Sequence, residues 1–319
     1  MSVKVYVGKA RSFGDVFGDT IAYMRQNFKS LFGSILLLVS PFVLIATFLI
    51  TFLFKNMFAN ITAAANDVMA FYASMAGTMV LMTLLSLLGY TAFVTVLNEH
   101  MLLNDSLPEN EKPLIKDIVK NFFSQFLRGL GGMFILVIIS LVFAVVIALF
   151  FGLLAMLIKM SAVLGILLFI LVYIFFLLIV MPIALYYFTA VLFTSQRHRI
   201  NVFEAIGKVF RNFKGNFWIT WSLSFLGGLI TYILSFIAFL PSYIVFIISF
   251  FTRMKGAIGD LQNSQAGYDV PIYVIVLFCI SGLLITCVYA VYFIMMNLQC
   301  ASLEEKKEGL SIMEKIDSI

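Results

Sequence analysis

The sequence predicts an all-α integral membrane protein with six transmembrane helices in three repeats. Of its 319 residues, 62% are hydrophobic and 12% are charged, whereas a soluble domain is nearer half apolar and a quarter charged. The pattern N-F-x-x-x-F also occurs three times, at 27–32, 121–126 and 212–217. Each copy ends a basic amphipathic stretch and opens a long apolar run. The copies lie roughly 90 residues apart, the length of one interfacial helix and two membrane crossings.

Each repeat is therefore predicted to contain an amphipathic interfacial helix followed by a hairpin of two transmembrane helices. The repeats divide a single membrane domain, 1–319, into units of about 12–104, 105–200 and 201–300, followed by a charged cytoplasmic tail, 301–319. We expect solvation to be the role of this tail. The interfacial helices are predicted at Phe13–Leu31, Pro113–Leu130 and Asn201–Asn216.

The third interfacial helix shows the amphipathic pattern well. Its charged side carries Glu204, Lys208 and Arg211. Its apolar side consists of Val202, Ala205, Ile206, Val209 and Phe213. This pattern is typical of a helix in the headgroup plane, with its apolar side in the lipid. We expect the Asn of each N-F motif to hydrogen-bond the backbone where the interfacial helix bends into the crossing helix.

Six apolar runs reach the roughly 20 residues needed to cross a bilayer. They are Phe32–Phe54, Met75–Asn98, Met133–Ile158, Ala162–Phe193, a run that begins at Phe217, and Pro271–Leu298. The fifth run continues to Phe251 and would be about 50 Å long as a helix, which exceeds a 30 Å hydrocarbon core. Pro241 interrupts it, and Pro182 interrupts the fourth run. We expect either a kinked helix that projects from the membrane or an interfacial segment after Pro241.

The basic residues predict that both termini are cytoplasmic. With this orientation only four of the 21 basic residues, Lys55, Lys159, Arg253 and Lys255, lie outside the cell. The rest follow the positive-inside rule. The first apolar run begins only near Phe32, so we expect no cleavable signal peptide.

The sequence predicts no catalytic, cofactor-binding or metal-binding residues, and no enzyme. The apolar cores of the six runs contain no Asp, Glu, Lys, Arg or His, which argues against a proton-coupled pump. G-x-x-x-x-G-K-[ST], H-E-x-x-H and G-x-S-x-G are absent from the sequence. His100, His198 and Cys300 end the second crossings of the three repeats, and their convergence would suit zinc. The alternative is that they are ordinary residues at three helix ends.

The repeated unit resembles a group of bacterial multipass proteins. Their units of amphipathic helix, N-F and two crossings correspond here to Asn27-Phe28, Asn121-Phe122 and Asn212-Phe213. The group includes the membrane domain found ahead of some glycerophosphodiester phosphodiesterases. This sequence has no room for their catalytic domain, so we do not expect the hydrolase activity. The resemblance implies a helical module of the bacterial inner (cytoplasmic) membrane that works beside another component.

Three functions remain open from the sequence. The first is a non-enzymatic scaffold or accessory module that organises partners or lipid. Its expected partners are a membrane protein and the anionic headgroups at the cytoplasmic face, and no nucleic acid is expected to bind. The alternative is a transporter or lipid-translocating protein, in which Pro41, Pro182, Pro241 and the pair Gly227-Gly228 would break helices at a cavity. The third is a membrane-embedded enzyme built on His100, His198 and Cys300.

Overall fold

The computed structural model describes residues 4–59, 68–160, 162–259 and 271–317, and no β-strand occurs among them. The helices are α1 (Phe13–Leu38), α2 (Ser40–Ala59), α3 (Val68–Ser106), α4 (Ile115–Met160), α5 (Ala162–Phe175), a π-helical segment (Phe176–Val180), α6 (Met181–His198), α7 (Val202–Phe213), α8 (Phe217–Gly259) and α9 (Ile272–Asp317). Residues 60–67 and 260–270, which lie between predicted crossings, are outside the described residues.

The protein is a multipass membrane protein by the length and composition of its helices. Within the described residues, five helical spans are long and apolar enough to cross a membrane. A sixth is present if α1 and α2, which meet at a 48° bend, form one span. The predicted apolar runs coincide with these long helices, except that the first is divided between α1 and α2 at Val39. The sequence therefore predicted where the long apolar helices lie.

The bends predicted at the N-F motifs are wrong for the first two copies. Helix α1 continues through Asn27 and α4 continues through Asn121. The side-chain amide of Asn27 donates to the Tyr23 carbonyl one turn earlier, at 3.1 Å, which is compatible with an uninterrupted helix. Asn121 instead donates to the Glu99 carboxylate at 2.8 Å.

The third copy does end one helix and start another. The chain turns between α7 and α8, where Gly215 has φ +92°, a conformation that glycine adopts without the penalty other residues incur. The matching position is Ser30 in the first copy and Ser124 in the second. A single residue difference within the motif therefore accompanies the difference in structure.

The charged tail is not a separate solvated helix, contrary to prediction. Helix α9 extends without interruption from Ile272 to Asp317. Ser302, Leu303 and Glu304 are buried, with 0%, 1% and 5% of their surface exposed. The beginning of the tail therefore belongs to the protein core.

The fourth crossing is deformed next to Pro182. Proline has no amide hydrogen, so Pro182 cannot donate to the Leu178 carbonyl one turn earlier, in the π-helical segment. The Trp221 indole of α8 donates to that carbonyl instead, at 2.9 Å, and Ser224 Oγ donates to the Pro182 carbonyl at 2.6 Å. Helix α8 thus satisfies backbone groups that lipid could not.

Replacing Trp221 with phenylalanine should destabilise this crossing. The Leu178 carbonyl would lose its donor, which costs about 1–3 kcal/mol for a buried group. Because Trp221 is only half-buried, we expect the low end of that range. Thermal unfolding in lipid nanodiscs measures the change. Trp218→Phe is the matched control, since Trp218 is 67% exposed, and an equal loss in both variants would contradict the role of the indole donor.

The chain divides into two compact units. The first comprises Met1–Leu31, Val94–Ile230 and Val291–Ile319, and the second comprises Phe32–Phe93 and Thr231–Ala290. This division into two units does not test the three sequence repeats, which stay a prediction.

The second unit is packed through small and hydroxylated residues. A Cβ atom on Gly89 of α3 would lie 3.0 Å from Phe42 Cβ, and one on Gly282 of α9 would lie 2.9 Å from Val43 Cγ1. The hydroxyl oxygens of Ser242 and Ser281 are 2.6 Å apart and connect α8 to α9. Close approach through small residues and hydroxyl groups is the usual basis of helix association in lipid.

Helix α8 continues without a break through Pro241 and through the pair Gly227-Gly228, which the sequence offered as places where a helix could break. In the first unit, a Cβ atom on Gly227 would lie 1.8 Å from the Met295 methyl group, whereas one on Gly228 would have its nearest neighbour 4.0 Å away, at Tyr292. Gly227 therefore serves a close approach of α8 and α9.

Alanine substitutions at these two glycines should have opposite effects. Gly227→Ala is expected to lower the free energy of unfolding by about 1–3 kcal/mol, because the buried Met295 side chain must move. Gly228→Ala should be neutral or stabilising by up to about 1 kcal/mol, the gain in helix propensity. Denaturation in mixed micelles compares them, and equal effects would refute the packing role of Gly227.

Candidate functional site

The candidate site is a buried polar cluster in the first unit, at the ends of three helices. Every residue of 94–101 in α3, 189–196 in α6 and 292–304 in α9 is buried. These segments carry amides, carboxylates and histidine, so their polar atoms need partners inside the protein. The helices are the second crossings of the three predicted repeats.

Three side-chain amides meet at the centre of this cluster, and we call them the amide triad. Asn98 donates to Gln196 Oε1 at 2.8 Å, and Asn297 donates to Asn98 Oδ1 at 2.8 Å. One amide comes from each of α3, α6 and α9. Gln196 Nε2 and Asn297 Oδ1 are buried and have no hydrogen-bond partner among the described residues. The triad thus retains one spare donor and one spare acceptor.

His100 and Cys300 have separate partners rather than a common one. His100 Nδ1 is 2.6 Å from Tyr23 Oη, and its Nε2 is 3.0 Å from Ser30 Oγ. Both ring nitrogens therefore face hydroxyl groups of α1. Cys300 Sγ lies 3.4 Å from Thr194 Oγ1.

His198, at the end of the second crossing of the second repeat, belongs to an ion-pair cluster around Glu304. Its Nε2 lies 2.8 Å and 3.0 Å from the two Glu304 carboxylate oxygens. Lys208 and Arg197 also pair with this carboxylate, Arg197 at 3.3 Å. The cluster joins α6, α7 and α9 through a side chain that is only 7% exposed.

The possible convergence of His100, His198 and Cys300, which the sequence left open beside their being ordinary helix-end residues, is therefore not found. Within the described part of the chain, no three or more His, Cys, Asp or Glu residues are arranged to hold a metal ion. The hypothesis of an enzyme built on these three residues loses its geometric basis.

An extended segment before α1, residues 4–12, is seated on the cluster, and we call it the N-terminal strap. Its backbone bonds to α3, because Val7 N donates to Asp105 Oδ1 at 2.8 Å and Asn104 Nδ2 donates to the Val5 carbonyl at 3.1 Å. Tyr6 Oη donates to Glu109 at 3.2 Å. Loss of solvent and the Glu109 carboxylate raise the pKa of the Tyr6 phenol, so it stays a donor at neutral pH.

Arg11 fixes the other end of the strap. Its guanidinium is fully buried, and its Nε donates to Asp19 Oδ2 at 2.7 Å. Its other nitrogens donate to the carbonyls of Tyr6, Val7 and Lys9. The Arg11 backbone nitrogen also donates to Ser302 Oγ of α9, at 2.7 Å. From the sequence, Arg11 is only one of the basic residues that follow the positive-inside rule, because partners that are mostly backbone oxygens leave no pattern in the sequence.

The contacts around the cluster follow a cyclic order. Glu99, at the end of α3, accepts from Asn121 at the start of α4. His198, at the end of α6, contacts Lys208 of α7 at 3.0 Å. Ser302 of α9 binds Arg11 of the strap. The end of each second crossing thus contacts the segment that begins the next repeat. The second crossing of the third repeat contacts the N-terminal segment, which precedes the first repeat, so the order is cyclic.

The arrangement is suited to holding helices together. Its polar atoms bond mainly to one another. These bonds fix the positions of α3, α6 and α9 relative to each other and to the segments around them.

No protein-family model matches the chain, and neither a curated protein nor a solved structure matches it.

The prediction that the apolar side of helix α7 faces lipid is wrong. The side expected to face lipid is buried in the first unit, with Val202, Ala205, Val209 and Phe213 all at most 9% exposed. A Ser, Thr, Asn or Asp residue at the N-cap favours a helix start, and Asn201 caps α7 by accepting from Glu204 N at 2.8 Å. The amphipathic pattern was real, but protein covers the apolar side that the sequence assigned to lipid.

The apolar hairpin of α4 and α5–α6 is the most exposed part of the described spans. In the most apolar stretch of each arm only 6% of residues are buried, compared with 17–39% in the other spans. Val142 and Leu149 on the first arm are 63% and 66% exposed, and Leu171 on the second is 66% exposed. Most residues in these two apolar stretches are therefore available to lipid or to another membrane protein.

Proposed function

We propose that this chain is a non-enzymatic scaffold or accessory module of a bacterial inner membrane that organises partner proteins or lipid. The exposed hairpin of α4 and α5–α6 carries the proposal. Its two arms are highly apolar and bury few of their residues, while the polar cluster is occupied by internal hydrogen bonds. A core held by internal hydrogen bonds, together with an uncovered membrane hairpin, fits a protein that offers a surface better than one that processes a substrate.

The architecture that we propose has six crossings in three repeats, with both termini cytoplasmic. The cyclic order of contacts around the polar cluster supports the repeats, because each second crossing contacts the segment that follows it in that order. The amide triad adds one residue from each second crossing. The positive-inside rule supports the orientation.

The partner that we propose is another membrane protein, bound along the hairpin. Helices associate in lipid through packing and polar contacts rather than through hydrophobic burial, so an uncovered apolar hairpin can stay in lipid or exchange lipid for a partner. The resemblance to a membrane domain that accompanies an enzyme supports the same proposal. Anionic lipids at the basic face of the protein are the second proposed partner.

Site-specific photo-cross-linking in native membranes, together with native mass spectrometry, tests this function. A photoreactive amino acid at Val142 or Leu149 should cross-link to one and the same protein, which should also accompany the gently extracted chain. Tyr232 of α8 is the matched control, since it is 71% exposed in an apolar span that is not part of the hairpin. A chain that carries no protein companion and yields no hairpin-specific adduct would refute the scaffold.

Transport or lipid translocation is the second candidate function, favoured by two observations. The fourth crossing has a π-helical segment next to Pro182, and such segments often occur at functional sites. The spare donor of Gln196 and the spare acceptor of Asn297 could bind a polar solute. A defined small molecule or lipid retained in native mass spectrometry, and lost on Gln196→Leu, would support this function over the scaffold.

A further inference from the structure

Helix α7 has three distinct sides. Successive residues of an α-helix are rotated by about 100°, so residues seven apart lie almost in line. The side toward the protein contains Val202 and Val209, the next contains Phe203 and Phe210, and the third contains Glu204 and Arg211. Each side is one residue later in the sequence than the previous side, and is therefore rotated from it by about 100°.

The aromatic side of α7 is uncovered by protein. Phe203 is 67% exposed and Phe210 is 60% exposed. Between them, a Cβ atom on Gly207 would meet nothing within 4 Å. Two large aromatic side chains in line on one short helix form an apolar stripe, which we call the Phe203–Phe210 stripe.

The position of α7 in the chain indicates what covers this stripe. Helix α8, a candidate membrane span, begins at Phe217, only three residues after α7 ends. Its first turn carries Trp218, 67% exposed, and tryptophan is enriched where a span meets the headgroups. The exposed cations Arg211 and Lys214 lie between the stripe and this boundary.

Helix α1 repeats the same order of sides independently. Its buried residues include Val16, Thr20, Tyr23 and Asn27. The residue after each is apolar, namely Phe17, Ile21, Met24 and Phe28, and Ile21 and Phe28 are 57% and 60% exposed. Arg25 and Lys29, each one position further, are exposed cations.

We propose that the Phe203–Phe210 stripe inserts into the lipid boundary and that Arg211 and Lys214 bind anionic lipid headgroups beside it. Helix α7 then contacts protein, acyl chains and the boundary between headgroups and water on three successive sides. Phenylalanine side chains bury apolar area among the acyl chains, while cations are attracted to anionic lipid. This inference deepens the lipid part of the proposed function and rests on its placement in a membrane.

Nitroxide labels on two sides of α7 test the inference. Phe210→Cys and Glu204→Cys are labelled separately in a chain that carries Cys279→Ser and Cys287→Ser, and Asn201 still caps the helix in the second variant. Each is reconstituted in nanodiscs of phosphatidylcholine, with and without phosphatidylglycerol. Collision rates with oxygen, which enters lipid, and with a water-soluble nickel chelate are measured by electron paramagnetic resonance.

We expect the oxygen-to-nickel ratio to be several-fold higher at 210 than at 204. The ratio at 210 should rise further with phosphatidylglycerol, and Arg211→Gln with Lys214→Gln should abolish that rise. Nickel access at 210 equal to that at 204 would overturn the insertion, and so would a label at 210 that neither reagent reaches. A ratio independent of phosphatidylglycerol would overturn the headgroup contact.

Phe203→Cys provides a second label on the same side, should the first variant fail to fold. The experiment uses purified protein without a partner. If no partner is captured on the hairpin, the proposed function fails but this inference is unaffected. If the Phe203–Phe210 stripe is exposed to water, this inference fails but the hairpin proposal is unaffected.

Discussion

Replacing Asn98 with leucine is expected to lower the free energy of unfolding by about 2–4 kcal/mol. Asn98 is fully buried and bonds both other members of the amide triad at 2.8 Å. Leucine has a similar size but would leave Gln196 Oε1 and Asn297 Nδ2 without their triad partner. A buried polar group left unsatisfied costs about 1–3 kcal/mol. Reversible unfolding in mixed micelles measures the loss.

The triple variant Asn98→Leu, Gln196→Leu and Asn297→Leu is the informative control. Replacing all partners of a buried polar group by apolar side chains of similar shape can be nearly neutral, so this variant should recover most of the stability lost by Asn98→Leu. If the triple variant were the least stable, the cost would come from altered packing rather than from unpaired amides.

The positions of the long apolar helices were predictable because the signal is local. A run such as Met133–Ile158 is apolar throughout and long enough to cross a bilayer, and it lies in α4 as predicted. Only the residues of the run itself and the thickness of the membrane enter that prediction. The exposed arms of the hairpin, which depend little on the rest of the protein, are where it succeeds best.

The helix ends were not predictable in the same way, since their environment depends on residues far along the chain. Glu304 was assigned to a solvated tail because its neighbours in sequence are charged. Its partners Arg197, His198 and Lys208 lie about 100 residues earlier. Likewise, the apolar side of α7 has the same sequence pattern whether lipid or protein covers it.

The N-F motif shows how a repeated pattern can overstate structural repetition. Its fourth position is Ser30, Ser124 or Gly215, and only the glycine copy, with φ +92° at Gly215, separates two helices. Asn27 is buried in its helix, whereas Asn121 is exposed and reaches Glu99. Each copy lies in or next to a helix, but the bend predicted for every copy occurs only in the third.

Asp19→Asn is expected to destabilise the strap more than Arg11→Met does. The Arg11 guanidinium cannot lose its proton, and it is fully buried while Asp19 is 28% exposed. Asp19→Asn leaves a buried charge paired only with carbonyl oxygens, and breaking a buried ion pair costs about 3–5 kcal/mol. Arg11→Met leaves a carboxylate that water can reach, and two of the three carbonyls that lose a donor belong to Tyr6 and Lys9, which are not buried. We therefore expect a smaller loss of about 1–3 kcal/mol.

Hydrogen exchange of residues 4–12, combined with thermal unfolding in nanodiscs, distinguishes these outcomes. Both variants should lose protection in the strap, and the double variant Arg11→Met with Asp19→Asn should resemble Arg11→Met alone, because no buried charge remains. Arg11→Lys keeps the charge without the planar array of donors and should fall between wild type and Arg11→Met. If Asp19→Asn proved harmless, the carbonyls of Tyr6, Val7 and Lys9 would suffice to hold Arg11, and the strap would be fixed by backbone contacts rather than by its ion pair.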